Sequence, residues 1–286
     1  MKHITSILLI TLSLLVISCG QNTTKNLHNT QNNINLSNKQ KAIDFLKTIE
    51  TNEKAPLSYA GEYKQHNLAI PTGLDGLLSV VKLLPPNSAK VNTVRAFEDG
   101  DYVFTHTSYD FFGPKVGFDI FRFENGKIAE HWDNLQVDPK TPNPSNRTMT
   151  DGNAFLKDLH KTSQNKILAK NFVTDILIEG NMDKLKLYDF GDNYLQHNPI
   201  ISDHLSGLKD ILIKWKNEGI SIAYHKIHKV LGEGNFVLVA SEGEFGGKPT
   251  AFYDLFRIEN GVIAEHWDTI EEIPAKGDWK NNNGKF

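Results

Sequence analysis

The sequence contains one cysteine, Cys19, among its 286 residues. An intrachain disulfide, a cysteine-rich metal site and a cysteine nucleophile in the folded part are therefore excluded. Basic residues are not clustered, and the 31 Lys and Arg residues are outnumbered by 34 Asp and Glu residues. A nucleic-acid partner is not expected, because phosphate binding needs concentrated positive charge. The chain also lacks a Gly-x-Ser-x-Gly nucleophile elbow and a phosphate-binding loop.

An apolar run near the beginning of the chain, ILLITLSLLVI, follows Lys2 and His3 and precedes Ser18, Cys19 and Gly20. This order is typical of an export signal, and the run is short for a membrane span. The residues Val16-Ile17-Ser18-Cys19 resemble a bacterial lipobox. We therefore expect a lipoprotein signal peptide over 1–18, lipid on Cys19, anchoring at a membrane of the bacterial cell envelope, and a flexible tether over 19–37. An ordinary signal peptide cut near Ser18 is the alternative.

Two stretches of the chain are nearly the same. Phe118–Asp133 and Tyr253–Asp268 are identical at 12 of 16 positions, and the earlier YKQHN, which ends at Asn67, matches YLQHN, which ends at Asn198. Blocks that recur in the same order at nearly the same spacing indicate two copies of one fold. The expected organisation is a first domain over 38–137, a linker over 138–164, a second domain over 165–273 and a C-terminal tail over 274–286.

Each copy has the same pattern of elements. Apolar spacing predicts helices near 38–50 and 73–84 in the first copy, and near 165–180 and 205–219 in the second. Strand-like runs then flank the turns EDGD and GEGN, and a further pair flanks each Asn-Gly, which is a strong hairpin signal. The predicted class is α+β, with N-terminal helices packed on a curved antiparallel sheet.

The Gln-His-Asn segments, the Asp-x-Phe-Arg segments that begin at Asp119 and Asp254, and the two ENGxIAEHWD hairpins resemble the SnoaL-like branch of the NTF2-like superfamily. The resemblance implies two cone-shaped domains, each with a pocket for a small molecule at its wide end. Members of this branch include polyketide cyclases that use acid–base catalysis without a metal. Members often pair through the open sheet face, which implies an intrachain pseudo-dimer here.

Alternation along a strand places His131 and Asp133 on one face and Trp132 on the other, with the same arrangement in the second copy. An aldol-type step needs a base beside a carbonyl and a donor for the enolate, so Asp133 or Asp268 is the candidate base and His131 or His266 its partner. We expect His66 and His197 at the pocket mouth or wall. The candidate catalytic residues are Asp133, His131, His66, His106, Asp268, His266 and His197, and the candidate ligand-binding residues are Gln65, Asn67, Gln196, Asn198, Asp119, Asp254, Trp132 and Trp267.

Other interpretations of these residues remain open. Asp133 and Asp268 are equally compatible with structural ion pairs to Arg122 and Arg257, and the two tryptophans with core or interface packing. The His-x-Asp spacing also occurs in iron sites that add a distant histidine, but that arrangement fits poorly, so no metal or cofactor is expected. The copies differ as well, since His106 of the first aligns with Ala240 of the second.

The sequence thus favours an exported acid–base enzyme of the cyclase, aldol or isomerase type that acts on a small carbonyl compound. Two alternatives have the same fold but no turnover: a protein that binds small ligands, and a module that binds other proteins.

Overall fold

A computed structural model describes residues 36–51, 59–85, 87–188 and 193–286 of the chain. The expected signal peptide, the lipidation at Cys19 and nearly all of the tether lie outside the described residues. Within them, no helix combines the length and the apolar character that a membrane span requires. The helices are α1 (Asn38–Thr51), α2 (Leu74–Val81), α3 (Thr162–Phe172, continued as a wider π-turn over Val173–Ile178) and α4 (His204–Asn217), with 3₁₀ turns at Leu159–Lys161, Met182–Leu187 and Lys276–Asp278.

Among the described residues, the strands form two five-stranded sheets with the same strand order. The first sheet is ordered β1-β5-β4-β3-β2 and the second β6-β10-β9-β8-β7. The strands are β1 (Tyr59–Gln65), β2 (Lys90–Asp99), β3 (Tyr102–Asp110), β4 (Pro114–Glu124), β5 (Lys127–Val137), β6 (Leu195–Gln196), β7 (Ile222–Glu233), β8 (Phe236–Phe245), β9 (Lys248–Glu259) and β10 (Val262–Glu272).

The expectation of purely antiparallel sheets is wrong at one edge of each sheet. The four long strands of each sheet pair antiparallel, but β1 pairs parallel to β5, and β6 pairs parallel to β10. Each of these edge strands ends at the Gln of a Gln-His-Asn segment. Because they lie between two helices in the chain, they join the free edge of the last strand instead of forming a hairpin with it.

The predicted Asn-Gly hairpins are present. Asn125 and Gly126 connect β4 to β5 with φ values of 51° and 73°, and Asn260 and Gly261 connect β9 to β10 with 53° and 80°. Positive φ at both central residues defines the turn whose twist suits paired strands. The hairpins therefore place the two EHWD segments at equivalent positions in their sheets.

In the part of the chain that the structure describes, hydrophobic side chains form three cores. One packs α1 and α2 on the first sheet, another packs α3 and α4 on the second sheet, and the third lies between the two sheets. In the third core, Phe97 stacks on Phe236 with ring centroids 4.5 Å apart. Each sheet thus has a helix-covered face and an inter-sheet face, and the candidate residues divide between them.

Candidate functional site

Strand β5 places His131 and Asp133 on the helix-covered face of the first sheet. The His131 ring stacks on Phe121 with centroids 4.6 Å apart and meets Phe45 of α1 edge-on at 5.6 Å. Trp132 lies in the core between the sheets. The predicted alternation is therefore confirmed, and the imidazole and the carboxyl group of this segment are both buried under the helices.

The first site joins residues from three strands and from the loop that follows β1. His131 Nε2 lies 3.1 Å from Asp119 Oδ1, and Tyr109 donates its hydroxyl hydrogen to Asp119 Oδ2 at 2.5 Å. Asn67 Nδ2 donates to Asp133 Oδ2 at 2.7 Å. Burial raises the pKa of Asp119, and the hydrogen bond from His131 opposes that rise. Asp119 thus belongs to the same site as the EHWD segment.

Gln65 determines the tautomer of His131. Its Oε1 accepts a hydrogen bond from the backbone N–H of Asn67 at 2.9 Å, so its Nε2 is the atom 3.2 Å from His131 Nδ1. Because an amide nitrogen only donates, Nδ1 accepts and Nε2–H donates to Asp119. A neutral imidazole satisfies both contacts.

The second site has the same members with a different proton arrangement. Gln196 Oε1 accepts from the backbone N–H groups of His197 and Asn198, both at 2.9 Å, and also faces His266 Nδ1 at 3.1 Å. Nδ1 therefore carries a hydrogen. His266 Nε2 lies 3.0 Å from Asp254 Oδ1. That contact requires a further proton, either on the imidazole ring or on the carboxyl group.

Asp268 lies in the same pocket as His266 and Asp254. Its oxygens accept from Asn198 Nδ2 at 2.8 and 3.0 Å. Burial, assisted by the nearby charge of Asp254, raises the pKa of Asp268 to about 6, although His266 opposes the shift. A carboxyl group with this pKa gains and loses a proton near neutral pH, as an acid or base catalyst must.

In each site a tyrosine approaches the aspartate that contacts the histidine, which is Asp119 in the first site and Asp254 in the second. The two tyrosines lie on strands that are not equivalent in the two sheets. In the first sheet Tyr109 of β3 lies opposite Val91, whereas in the second Tyr224 of β7 lies opposite Gly243. The Tyr224 hydroxyl approaches Asp254 Oδ1 at 3.4 Å. Burial and the neighbouring aspartate raise the pKa of each phenol well above its usual value, so both remain donors. Motif comparison missed these residues, because the phenol changes strands between the copies.

The second site opens on a narrow cavity. About 30 Å³ is open to the centre of a water molecule, which is enough for one or two waters. A larger pocket of about 450 Å³ adjoins the cavity and shares Leu177, Leu212, Ile222 and Tyr224 with its wall. The larger pocket is mainly apolar. A ligand bound in this pocket would lie next to the narrow cavity that Asp254, His266 and Asp268 line.

Three histidines predicted for the pocket lie on the inter-sheet side instead. His66 stacks on Trp132 and His197 on Trp267, with centroids 4.4 and 4.6 Å apart. His106 stacks on Phe118 and contacts Arg95. The predicted pocket positions of these histidines are wrong, because each side chain alternates away from its Gln or Thr neighbours. Trp132 and Trp267 pack in the core between the sheets.

The arginine alternative is also wrong. Arg122 pairs with Glu130 at 3.1 Å, and Arg257 pairs with Glu265 at 2.6 Å. Both glutamates lie on the opposite strand face from the EHWD aspartates. The two arginines therefore pair with these glutamates instead of with Asp133 and Asp268.

The same side chains have the chemistry of metal ligands. One ligand atom from each of Asp119, His131 and Asp133 lies within 4.8 Å of the other two, and Asp254, His266 and Asp268 repeat the arrangement. In the first site the Gln65 amide leaves the hydrogen of His131 on Nε2, which faces Asp119. That tautomer suits a hydrogen bond to the carboxylate better than coordination at Nε2.

No family model matches the chain, and no curated protein matches its sequence. Several solved structures are similar. A SnoaL-like polyketide cyclase from Agrobacterium tumefaciens shares 13% identity at a TM-score of 0.31, over 37% of this chain and 91% of that one. An LEH-like epoxide hydrolase from M. tuberculosis shares 18% at 0.30, over 39% and 85%. A protein of unknown function with a cystatin-like fold from Xanthomonas campestris shares 22% at 0.32, over 38% and 91%. Each likeness spans one domain-sized part of the chain.

Proposed function

We propose that the protein is an acid–base enzyme that abstracts a proton next to the carbonyl group of a small molecule. The observation that carries this proposal is Asp268, a buried carboxyl group with a pKa of about 6 in a cavity that also holds His266 and Asp254. The reaction class is aldol condensation, cyclisation or isomerisation.

The chemistry follows from the positions of the protons. Asp268 in its ionised form accepts the proton from the carbon next to the carbonyl group. The proton shared by His266 and Asp254 is then available for the oxygen on which negative charge develops. Tyr224 supports Asp254, and Asn198 holds Asp268 in place. The adjoining apolar pocket would accommodate the rest of the substrate.

Deuterium exchange tests this proposal without knowledge of the natural substrate. The full chain is incubated in D₂O with a panel of small enolisable ketones, and loss of the proton signal beside the carbonyl group is followed by ¹H NMR. We expect faster exchange than in buffer, a drop of about a hundredfold or more in the Asp133→Asn, Asp268→Asn double variant, and no effect of dialysis against a chelator. Glu272→Gln, an exposed carboxylate on β10, is the matched control. Full activity in the double variant would refute the assigned bases.

Ligand binding without turnover is the second candidate. The narrowness of the cavity beside Asp268 favours it, because about 30 Å³ admits only a small group. Under this alternative, the ketones would raise the unfolding temperature without exchanging their protons.

We also propose that residues 38–137 and 165–273 are two copies of an NTF2-like cone, joined as an intrachain pseudo-dimer. The matching strand orders and the shared core between the sheets support this arrangement.

On sequence alone, we propose export and lipid anchoring through Cys19 in the cell envelope. Cys19→Ala should move the protein out of the membrane fraction.

A further inference from the structure

The segment that follows each sheet crosses to the opposite half of the molecule. We propose that these two segments are positioning straps, each of which holds the Gln-His-Asn loop of the other half's site. The middle strap is residues 143–151, which follow the first sheet, and the C-terminal strap is residues 279–286, which follow the second. Their catalytic importance rests on the proposed function, but their hold on the loops does not.

The C-terminal strap binds the backbone of the first site's loop. Asn281 Nδ2 donates to the carbonyl oxygens of Asn67 and Ile70, both at 2.8 Å. Asn283 Nδ2 donates to Gln65 O at 2.8 Å. His66 Nδ1 lies 2.9 Å from Gly284 O, so this histidine acts in the strap contact. The loop that carries Gln65 and Asn67 is therefore held by the far end of the chain.

The middle strap binds the second site's loop in the same manner. Asn143 Nδ2 approaches the carbonyl oxygens of Gln196, Asn198 and Ile201 at 2.7, 3.3 and 2.9 Å. His197 Nδ1 lies 2.9 Å from Thr148 O, as His66 lies beside Gly284. One buried asparagine side chain thus caps each loop, and each comes from the segment that follows the other sheet.

The loops matter because their side chains orient the catalytic groups. Asn67 and Asn198 donate to Asp133 and Asp268. Gln65 and Gln196 set which nitrogen of each imidazole carries a hydrogen. A loop that moves by an ångström would lose these contacts, since hydrogen bonds weaken steeply with distance and angle. Asn143 and Asn281 are therefore positioning residues that act through the loops.

The C-terminal strap also brings a buried charge to the first site. Lys285 Nζ donates to Asp133 O at 2.9 Å and pairs with Glu271 of β10. It lies 3.9 Å from Asp133 Oδ1. Residues of the second half therefore contact Asp133 of the first site directly.

Hydrogen–deuterium exchange of the full chain tests the straps without a substrate. Asn281→Ala should speed exchange of the amides of residues 66–70 by about tenfold or more. The reason is that the carbonyl oxygens of Asn67 and Ile70 in this loop lose their hydrogen-bond donor. The amides of His197, Asn198, Ile200 and Ile201 should be unaffected, and Pro199 has no amide hydrogen to exchange. Asn143→Ala should show the opposite pattern. Asn281→Asp keeps the shape but not the donor and should act like Ala, whereas Asn282→Ala, an exposed neighbour, should change neither loop. Equal changes in both loops, or none, would overturn the proposal.

Turnover in single-site backgrounds tests the catalytic part. In Asp268→Asn, where the first site alone remains, Asn281→Ala should lower ketone exchange about tenfold or more and Asn143→Ala should not; in Asp133→Asn the effects should reverse. Equal effects in both backgrounds would contradict a positioning role. If the wild type exchanges no ketone, the proposed function fails, while the amide exchange still decides the straps.

Discussion

At the scale of single residues, a glutamine determines how each imidazole shares its protons. Gln65 and Gln196 are both fixed by backbone N–H groups of their own loops, but they present opposite ends to His131 and His266. The two sites therefore have the same residues and different protonation patterns. The pair of His266 and Asp254 thus holds one proton more than the pair of His131 and Asp119.

The raised pKa of Asp268 predicts a pH-dependent stability. Its folded-state pKa of about 6 exceeds the ordinary 3.8, so its contribution to stability is fully present below pH 4 and is lost as the pH rises through 6. Two pKa units correspond to about 3 kcal/mol. The free energy of unfolding of Asp268→Asn, relative to wild type, should therefore rise by about 3 kcal/mol between pH 3 and pH 7.5 in denaturant titrations. The exposed Glu272→Gln should show no such trend, and a flat difference for Asp268→Asn would contradict the raised pKa.

Part of each site could be predicted from sequence. His131 and Asp133 follow from strand alternation, and the repeat doubles the prediction. Tyr109 and Tyr224 could not be found, because the phenol moves to the neighbouring strand and only the cross-strand register shows their equivalence. The pocket position predicted for His106 is wrong, because its direction depends on strand parity relative to Thr105, which the sequence does not define.

At the scale of elements, the long helices and hairpins were predictable because they carry strong patterns. The parallel strand β6 spans two residues, Leu195–Gln196, and a segment this short has no periodicity to read. Asn281 and Asn143 lie in polar segments without helix or strand patterns. Their partners are distant backbone carbonyls, which leave no trace in the sequence.

The Asn-Gly turns give a test at this scale. Gly261 has a φ of 80°, and a side chain added there would meet open space, since no atom lies within 4 Å of an added Cβ. Gly261→Ala should therefore lower the free energy of unfolding by about 1 kcal/mol through backbone strain alone. Gly277→Ala, equally uncrowded but without positive φ, is the control for thermal or denaturant unfolding. Equal stability of both variants would contradict the turn assignment.

At the scale of the whole molecule, the two sheets share one apolar core, and the strap that follows each sheet binds the loop of the other half. Phe236 stacks on Phe97 of the first sheet and is fully buried. Phe236→Ala should cost about 3–5 kcal/mol, and calorimetry should show one transition that shifts as a unit. Phe155→Ala, at an 83% exposed side chain, should change stability by less than about 0.5 kcal/mol. Two transitions, of which only one shifts, would mean that the halves fold independently.

The proposed chemistry depends most on a buried carboxyl group that exchanges a proton near neutral pH. ¹³C NMR titration of the full chain, labelled at aspartate carboxyl carbons and assigned with Asp268→Asn, measures that property directly. The predicted pKa of Asp268 is about 6. Titration near the ordinary aspartate value of about 3.9 would show a solvated carboxylate and would contradict the proposed base.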